Sequence, residues 1–221
     1  MILLVLLFSF TVTFLGFPII IPRLKQAGIT GKNMNSETKE EIPEMGGLVI
    51  VAGFSGGIIL TIFIKIFYKL LPDVYLVALL ATLSTVLIVA LIGIIDDLIS
   101  MRQIIKAFMP IFAALPLMAI EIGETIMRVP FVGSVNFGIL YPLLLVPLGV
   151  TGATNAFNML AGFNGLEVGL GIVCMVTVSI IAYITDSMTA LAISLSCLGA
   201  LVATIYYNWY PAKILVGDIG T

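Results

Sequence analysis

Apolar stretches close to the length of a membrane-spanning helix recur along this chain and limit the folds open to it. A helix needs about 20 apolar residues to cross the hydrocarbon core of a bilayer. Seven stretches approach that length, at about residues 1–21, 46–68, 75–95, 107–120, 139–157, 166–184 and 190–207. In lipid, a helix satisfies its own backbone polar groups, whereas irregular chain does not. The sequence therefore predicts an all-α fold, a polytopic transmembrane helical bundle of about seven spans, as a single integral membrane domain over residues 1–221.

Charge is scarce in this chain, which excludes several classes of function. Charged residues make up 10% of the sequence, against about 25% in an ordinary soluble domain. The net charge of −2 provides no basic face for nucleic acid. There is no histidine, so imidazole can serve neither as a base nor as a metal ligand. The first apolar stretch begins at Ile2 and has no basic residue before Arg23, which favours a retained span over a cleaved signal peptide.

Lysine and arginine are unevenly divided between the two sides of the predicted bundle. If the loop after the first span is cytoplasmic, that side holds Arg23, Lys25, Lys32, Lys39, Arg102, Lys106 and Lys213, and the other side holds Lys65, Lys69 and Arg128. This division agrees with the excess of basic residues on cytoplasmic loops, and it predicts an external N-terminus and a cytoplasmic C-terminus. In the outer loop, residues 128–132 and 134–137 are predicted to pair as a small hairpin around Gly133.

Two adjacent carboxylates, Asp96 and Asp97, follow the third apolar stretch. Carboxylates at the C-terminal end of a helix oppose its dipole, so this pair calls for a cation or a cationic partner. A solvated helix end is the simpler alternative. Lys106 lies ten residues after Asp96 and can meet a phosphate as a point charge, or it can serve as a cytoplasmic membrane anchor. These three residues are the candidate catalytic groups.

An amide-rich segment, NAFNMLAGFNGLE at residues 155–167, separates the fifth and sixth apolar stretches. Asn155 and Asn158 are three residues apart, which places both amides on one face of a continuing helix. Gly162 and Gly165 permit the backbone to leave the helix and approach a ligand. Helix capping accounts for one asparagine, but three amides with a carboxylate exceed that need. The candidate binding residues of the segment are Asn155, Asn158, Asn164 and Glu167.

The last polar cluster is a Gly-Asp-x-Gly turn at residues 217–220. It is a weak signal on its own, because glycine and aspartate are ordinary turn residues. Together the clusters offer oxygen ligands from Asp and Asn without His or Cys, a donor set that suits Mg²⁺ or Mn²⁺ rather than zinc. Phosphoryl transfer from a soluble nucleotide to a lipid needs these parts: a metal on the phosphates, a lysine that neutralises charge, and carboxylates that place the attacking group.

Four segments of the chain resemble the motifs of one membrane enzyme superfamily, the polyprenyl-phosphate N-acetylhexosamine-1-phosphate transferases. They are IPEMGG at residues 42–47, GIIDDLISMRQIIK at 93–106, NAFNMLAGFNGLE at 155–167 and YPAKILVGDIGT at 210–221. The segments most resemble the eukaryotic and archaeal branch, the UDP-GlcNAc–dolichyl-phosphate N-acetylglucosaminephosphotransferases. The bacterial cell-wall branch has a central motif closer to NLTDGLDGLA, from which Ala161 and Asn164 depart.

The resemblance implies a role for each matching residue. The implied metal ligands are Asn158 and Asp218, the catalytic residues are Asp96, Asp97 and Lys106, and the substrate-binding residues are Asn155, Asn164, Glu167, Glu44 and Lys106. Lys106 would meet the diphosphate and Asn164 the uridine, while Asp96 and Asp97 would serve the lipid phosphate or the metal. The second pKa of a phosphate monoester is about 6, so the lipid phosphate is mostly dianionic at neutral pH. We therefore expect the two aspartates to position groups and control charge rather than remove a proton.

The reaction implied by the resemblance is transfer of GlcNAc-1-phosphate from UDP-GlcNAc to dolichyl phosphate, giving GlcNAc-diphosphodolichol and UMP. This is the first step of lipid-linked oligosaccharide assembly for N-glycosylation, and it implies Mg²⁺, with Mn²⁺ as a substitute. The expected partners are UDP-GlcNAc, dolichyl phosphate or a related polyprenyl phosphate, and the lipid bilayer, and a homodimer is compatible with them. The site would face the cytoplasm, from the endoplasmic reticulum in a eukaryote or the cell membrane in an archaeon or bacterium.

Two alternatives and one departure qualify this interpretation. Within the same superfamily, the acceptor could be undecaprenyl phosphate or the donor another UDP-sugar. A membrane transporter is the more distant alternative, but it would place its ionisable groups near the bilayer midplane, whereas here they gather at the ends of the apolar stretches. Superfamily members continue past the Gly-Asp motif into further spans, so the chain is expected to lack the C-terminal part of that fold.

Overall fold

Long apolar helices form the body of the computed structural model, which describes residues 2–32, 40–99, 101–120 and 125–220 apart from the Arg128 side chain. In chain order the helices are α1 (Ile2–Gln26), α2 (Gly47–Phe67), α3 (Leu76–Ile99), α4 (Gln103–Phe108), α5 (Pro110–Ala113), α6 (Leu115–Met118), α7 (Val146–Leu160), which continues a π-helical turn at Tyr141–Leu145, α8 (Leu166–Ile184) and α9 (Met188–Asn208). In the described ranges, six helices have the length and composition to cross a membrane. This confirms the predicted polytopic helical bundle.

The fourth apolar stretch differs from the other predicted spans because it is broken into the short helices α4, α5 and α6. Together they cover Gln103–Met118, which is shorter than a membrane-crossing helix. Proline has no backbone N–H and its ring clashes with the preceding turn, so Pro110 and Pro116 interrupt the helical hydrogen bonding here. The broken segment packs along α3 and α7. The prediction of about seven spans therefore becomes six long helices and one interrupted segment.

The tightest part of the core lies where α1, α2 and α9 meet, and small residues make this contact possible. A Cβ added at Gly199 would overlap the backbone oxygen of Leu6, and one at Gly53 would overlap the Thr13 hydroxyl. The Ser9 hydroxyl, which is fully buried, lies 2.7 Å from the Gly53 carbonyl oxygen and 2.6 Å from that of Ser196. Small residues allow helix backbones to approach closely in membranes, where water provides no force that drives helices together. This three-helix core supports the rest of the bundle.

The predicted hairpin in the outer loop is present, but its strands begin and end elsewhere. β3 (Ile126–Val129) pairs in antiparallel fashion with β4 (Gly133–Asn136), and Gly133 lies opposite Val129. The prediction that the chain turns around Gly133 is therefore wrong, because residues 130–132 form the turn and Gly133, at φ +95°, begins the returning strand. Glu121 and Glu124 of the same loop lie outside the described residues.

A second two-stranded ribbon, absent from the sequence predictions, joins the first motif to the last. β1 (Thr30–Lys32) pairs with β2 (Glu41–Pro43), and Pro43 then accepts a 2.8 Å hydrogen bond from the Leu215 N–H. The N–H of Gly46 donates to the Leu215 carbonyl oxygen at 2.9 Å. Strands of three residues are too short to show an alternating pattern, so the sequence did not reveal the ribbon. Residues 33–39, with Glu37 and Lys39, lie outside the described ranges.

Candidate functional site

The predicted site residues with charge converge at one end of the bundle, where α3, α7 and α9 finish and α2 and α8 begin. The Lys106 ammonium lies 2.6 Å from Asp218 Oδ1 and 2.7 Å from Asp96 Oδ2. The Asn158 amide donates to Asp218 Oδ1 at 3.2 Å. We call these four residues the acid–lysine centre. Their side chains come from α3, α4, α7 and the turn at residues 216–220, so distant parts of the chain meet at one point.

The two adjacent aspartates have different surroundings. α3 continues through both of them to Ile99, so they lie in its last turns, at the C-terminal end of a helix as the sequence had indicated. Asp96 is buried, and its Oδ1 accepts the Met101 N–H at 2.7 Å while its Oδ2 meets Lys106. Asp97 instead accepts the backbone N–H of Asp218 at 2.9 Å. One aspartate thus holds the lysine, and the other holds the turn that carries Asp218.

Glycines allow this turn, residues 216–220, to lie directly against α3, and we call it the acidic turn. A Cβ at Gly93 would lie 2.6 Å from the Asp218 carbonyl oxygen and 2.6 Å from Ile219 Cα. Gly217 has φ +75°, and a Cβ there would lie 2.8 Å from Asp97 Oδ2. Glycine has little penalty at positive φ. Both positions therefore need glycine for the acidic turn to lie where it does.

The Asn155 side chain fastens two helices beside the acid–lysine centre. Its amide nitrogen donates to the Ala107 carbonyl oxygen at 3.0 Å and to that of Thr151 at 2.8 Å, which ties α7 to α4. Asn155 and Asn158 line the same small cavity of about 20 Å³, together with Lys106 and Asp218. The predicted shared face of the two asparagines is therefore present. A cavity of this volume has room for about one water molecule.

Asn164 and Glu167 do not line the cavity of the acid–lysine centre. α7 ends at Leu160, and the chain turns through Gly165, at φ +80°, into α8. Asn164 lines a separate groove of about 400 Å³, beside the largely exposed Trp209. Asn164 Nδ2 and Glu167 Oε2 are buried, and within the part of the chain that the structure describes neither has a hydrogen-bond partner. The structure thus brings these two residues to the site end of the bundle but outside the cavity that Lys106 lines.

Glu44 reaches the same end of the bundle through the ribbon formed by β1 and β2. Its backbone N–H donates to the Ile29 carbonyl oxygen at 3.3 Å, and its carboxylate lies against Gly31. Burial, followed by the negative charge of Asp218, raises the pKa of the Glu44 carboxyl above its ordinary value. A raised carboxyl pKa at a charged cleft is typical of a functional site, although structural charge networks also produce one.

Sequence comparison places this arrangement in a known family, because residues 79–221 match the family model described as glycosyl transferase family 4. The chain belongs to glycosyl transferase family 4. The matched part begins within α3 and includes every predicted site residue except Glu44. As a member of this family the chain is a transferase, and the membership confirms the resemblance that the four motifs indicated.

Curated relatives of this glycosyl transferase family 4 chain come from archaea, eukaryotes and bacteria. A Saccharolobus solfataricus protein is 39% identical over 226 residues, which cover 100% of this chain and 67% of the relative. A Sulfolobus acidocaldarius protein is 38% identical, with the same two coverages. Both are provisionally named UDP-N-acetylglucosamine–dolichyl-phosphate N-acetylglucosaminephosphotransferases. A Schizosaccharomyces pombe protein with that name is 29% identical, over 95% of this chain and 56% of the relative.

The charges at the site of this family 4 transferase do not balance among the described residues. Lys106 brings one positive charge close to the two carboxylates of Asp96 and Asp218, and the carboxyl groups of Asp97 and Glu44 lie nearby. Asp97 Oδ2 is buried and finds no hydrogen-bond partner among the described side chains and backbone. An uncompensated buried charge is costly. The site is therefore suited to a cationic ligand, or to one that arrives with a cation.

The donors for such a cation would be a mixed set of carboxylate and amide oxygens. Across residues 2–32, 40–99, 101–120 and 125–220, no group of three or more His, Cys, Asp or Glu side chains is arranged to hold a metal ion. Mg²⁺ commonly takes only one or two carboxylates from the protein and completes its shell with water and phosphate. Asp218 with the neighbouring Asn158 amide fits that need, and the partnerless Asp97 Oδ2 lies beside the same turn.

One buried residue at the site end of the bundle was missed by the sequence analysis. Asn208 is the last residue of α9 and is 1% exposed. Its amide oxygen accepts the Gly165 N–H at 2.9 Å, and its amide nitrogen donates to the Ile214 carbonyl oxygen at 3.0 Å. The available signal was an asparagine at the end of an apolar span, immediately before the Trp209–Tyr210–Pro211 sequence. That signal is weak, since asparagines at helix ends are common.

Proposed function

We propose that this family 4 transferase moves GlcNAc-1-phosphate from UDP-GlcNAc to dolichyl phosphate or a related polyprenyl phosphate and releases UMP. The observation that carries the proposal is the acid–lysine centre, in which Lys106 lies between Asp96 and Asp218 beside the Asn158 amide. A fixed ammonium beside metal-binding oxygens suits a diphosphate. The names of the archaeal and fission yeast relatives support the choice of donor and acceptor.

The proposed chemistry exchanges one phosphoanhydride bond for another. An oxygen of the lipid phosphate attacks the β-phosphorus of UDP-GlcNAc, the bond from the bridging oxygen to that phosphorus breaks, and UMP leaves with the bridging oxygen. Lys106 would stabilise charge on the diphosphate. Because the lipid phosphate is mostly dianionic at neutral pH, the attack needs little help from a base. Asp97 would then act by holding the Asp218 backbone, as its 2.9 Å hydrogen bond allows.

We further propose that the reaction depends on Mg²⁺, with Mn²⁺ as a substitute, held by Asp218 and the Asn158 amide oxygen. When bound, the metal would neutralise negative charge on the phosphates. The Asn158 amide currently presents its nitrogen to Asp218, and a turn of the amide group would present its oxygen instead. The oxygen-only donor set and the partnerless Asp97 Oδ2 support this assignment.

The remaining details follow the same proposal. The basic residues favour a site that faces the cytoplasm, in the endoplasmic reticulum or the cell membrane according to the source, as part of N-glycan precursor assembly. Asn164, which lines the groove beside Trp209, would contribute to donor binding, as would Glu167, Asn155 and Glu44. A homodimer stays a prediction that the site geometry does not address.

A labelling experiment tests the proposal. The full-length protein in membranes is supplied with dolichyl phosphate, MgCl₂ and UDP-GlcNAc labelled in the β-phosphate. Labelled lipid together with UMP release is the expected result, and the variant Lys106→Met should lose it. Release of UDP would instead indicate transfer of the sugar alone and would refute the proposal. Faster reaction with undecaprenyl phosphate would move the acceptor to the bacterial class, and uptake of unchanged UDP-GlcNAc into vesicles would favour a transporter.

A further inference from the structure

Asn208 connects two segments at the site, the loop that carries Asn164 and the segment that leads to the proposed metal ligand Asp218. On one side, its amide oxygen accepts the N–H of Gly165 at 2.9 Å, next to Asn164. On the other side, its amide nitrogen donates to the Ile214 carbonyl oxygen at 3.0 Å, four residues before Asp218. We call residues 161–165 the amide loop. Asn208 is thus a two-sided link between the amide loop and the segment at Ile214 that leads into the acidic turn.

The chemistry of this link requires a primary amide. Gly165 presents an N–H and Ile214 presents a carbonyl oxygen, so the linking side chain must accept on one side and donate on the other. Aspartate has nearly the same shape but cannot donate when ionised, and leucine has a similar size but can do neither. The position is 1% exposed, so water is poorly placed to replace a lost partner. Both backbone groups therefore depend on Asn208.

Neighbouring contacts make the two loops sensitive to this link. Gly165 sits at φ +80°, and a Cβ there would lie 2.9 Å from Trp209 Cε3, so the amide loop rests directly on the end of α9. Ile214 is fully buried, and the next residue, Leu215, is paired with the first motif through Pro43 and Gly46. The Asn208 link thus joins two segments that also pack against other elements, the amide loop against Trp209 and the Ile214 segment against the first motif. It therefore sets the separation between these two segments.

We propose that Asn208 is a positioning residue that aligns the amide loop with the acidic turn and so sets the affinity of the site for a divalent cation and for the nucleotide-sugar. The inference rests on the proposed function, because it assumes that Asn158 and Asp218 bind the cation. Asn208 itself does not line the cavity beside Lys106. It acts through Gly165 and Ile214, whose backbone it holds.

The first test measures binding without turnover. Mn²⁺ binding to the full-length protein in detergent is followed by electron paramagnetic resonance for the wild type, Asn208→Asp and the control Thr204→Val. Thr204 is buried one turn earlier on α9, and its hydroxyl donates to Ala200 within the same helix at 2.8 Å. Loss of a residue that orients metal ligands typically weakens metal binding by about 10–100-fold. We therefore expect Asn208→Asp to bind Mn²⁺ about 10–100-fold more weakly than the wild type, and Thr204→Val to bind it less than about twofold more weakly.

The second test separates positioning from general damage to the fold. Hydrogen exchange is measured by mass spectrometry without metal, on peptides that cover residues 161–166 and 214–218. Both peptides should exchange faster in Asn208→Asp, while a peptide from the middle of α9 keeps the wild-type rate. If Asn208→Asp does not fold, Asn208→Ser replaces it, because one hydroxyl is too short to span both partners. In turnover assays we expect the KM for UDP-GlcNAc to rise more than kcat falls.

The outcomes distinguish the two proposals. If the wild type binds no Mn²⁺, the metal assignment of the proposed function fails, and the exchange experiment alone then decides the role of Asn208. If the wild type binds Mn²⁺ and Asn208→Asp binds it equally well, the positioning role is wrong even if that variant is less stable. If only one of the two peptides exchanges faster, Asn208 supports that loop alone and does not link the two.

Discussion

Gly93→Ala is the substitution that most directly tests whether the position of the acidic turn controls activity. Gly93 lies on α3 beneath the turn, and an alanine Cβ there would lie 2.6 Å from the Asp218 carbonyl oxygen, 2.6 Å from Ile219 Cα and 2.7 Å from Ile219 N. All three neighbours are backbone atoms, which cannot rotate away. Ordinary contact begins at 3.4 Å, so the turn must move outward by about 0.8 Å to relieve this overpacking.

The expected cost of this movement is larger for activity than for stability. Overpacking costs typically about 1–3 kcal/mol, and the preference of a helix for alanine over glycine offsets about 0.5–1 kcal/mol of it. The net loss of folding free energy is therefore at most about 2.5 kcal/mol. In the site, Asp218 Oδ1 lies 2.6 Å from Lys106 and 3.2 Å from the Asn158 amide. A misplacement of about 1 Å in such a constellation can lower the rate by on the order of 100-fold.

The assay compares transfer of the labelled GlcNAc-phosphate per folded molecule, with folding followed by thermal unfolding in detergent. Gly57→Ala is the matched control, because its Cβ would lie 2.7 Å from Ser196 Oγ in the contact between α2 and α9, within the middle of the bundle. We expect both variants to unfold at lower temperature and only Gly93→Ala to lose activity strongly. If Gly93→Ala transfers within about threefold of the wild type, or if Gly57→Ala loses just as much activity, the reasoning is refuted.

Three further predictions concern the charges of the site. In Lys106→Met the carboxylates of Asp96 and Asp218 lose their shared cation, so we expect kcat at saturating UDP-GlcNAc to fall by about 100-fold or more. If the variant keeps a tenth of the wild-type kcat, Lys106 does not stabilise charge on the diphosphate. In Asp218→Asn the side chain keeps its shape and loses its charge, so half-maximal transfer should need about tenfold more Mg²⁺. If the dependence of transfer on MgCl₂ concentration is unchanged, Asp218 is not a metal ligand. Glu44→Gln should raise the unfolding temperature in EDTA at neutral pH. Folding raises the pKa of Glu44, so its ionised form destabilises the folded state above that pKa, and the penalty disappears below the unfolded pKa. A gain that persists undiminished in acid would contradict this explanation.

Much of the architecture could be predicted because hydrophobicity is a local property of the chain. A run of about 20 apolar residues is long enough to cross a bilayer wherever it occurs, so the helices appear close to their predicted bounds, as α8 at Leu166–Ile184 shows. The fourth stretch was predicted as a span, although Pro110 and Pro116 within it are the sequence signal for its interruption. The hairpin at β3 and β4 was predicted in kind but not in register, because a short ribbon has no buried face to define its pairing.

The candidate site was predicted as a set of residues, but not as an arrangement. Spacing along one helix showed that Asn155 and Asn158 share a face, since that face follows from helical geometry. It could not show that Asn155 is used to tie α7 to α4 while Asn158 reaches Asp218. The side-chain amide of each residue is the same, and only the element packed against it differs.

The sequence by itself determined that this chain is a bundle of membrane helices, that its polar motifs lie at the ends of those helices, and which family they resemble. The tertiary structure decided how the work is divided among them: Asp96 pairs with Lys106, Asp97 holds the backbone of Asp218, and Asn208 links two loops. The physical reason is distance along the chain. Apolar length and helical periodicity act over a few turns, whereas Asp97 and Asp218 are 121 residues apart and meet only because the packed helices, and glycines such as Gly93, bring their backbones together.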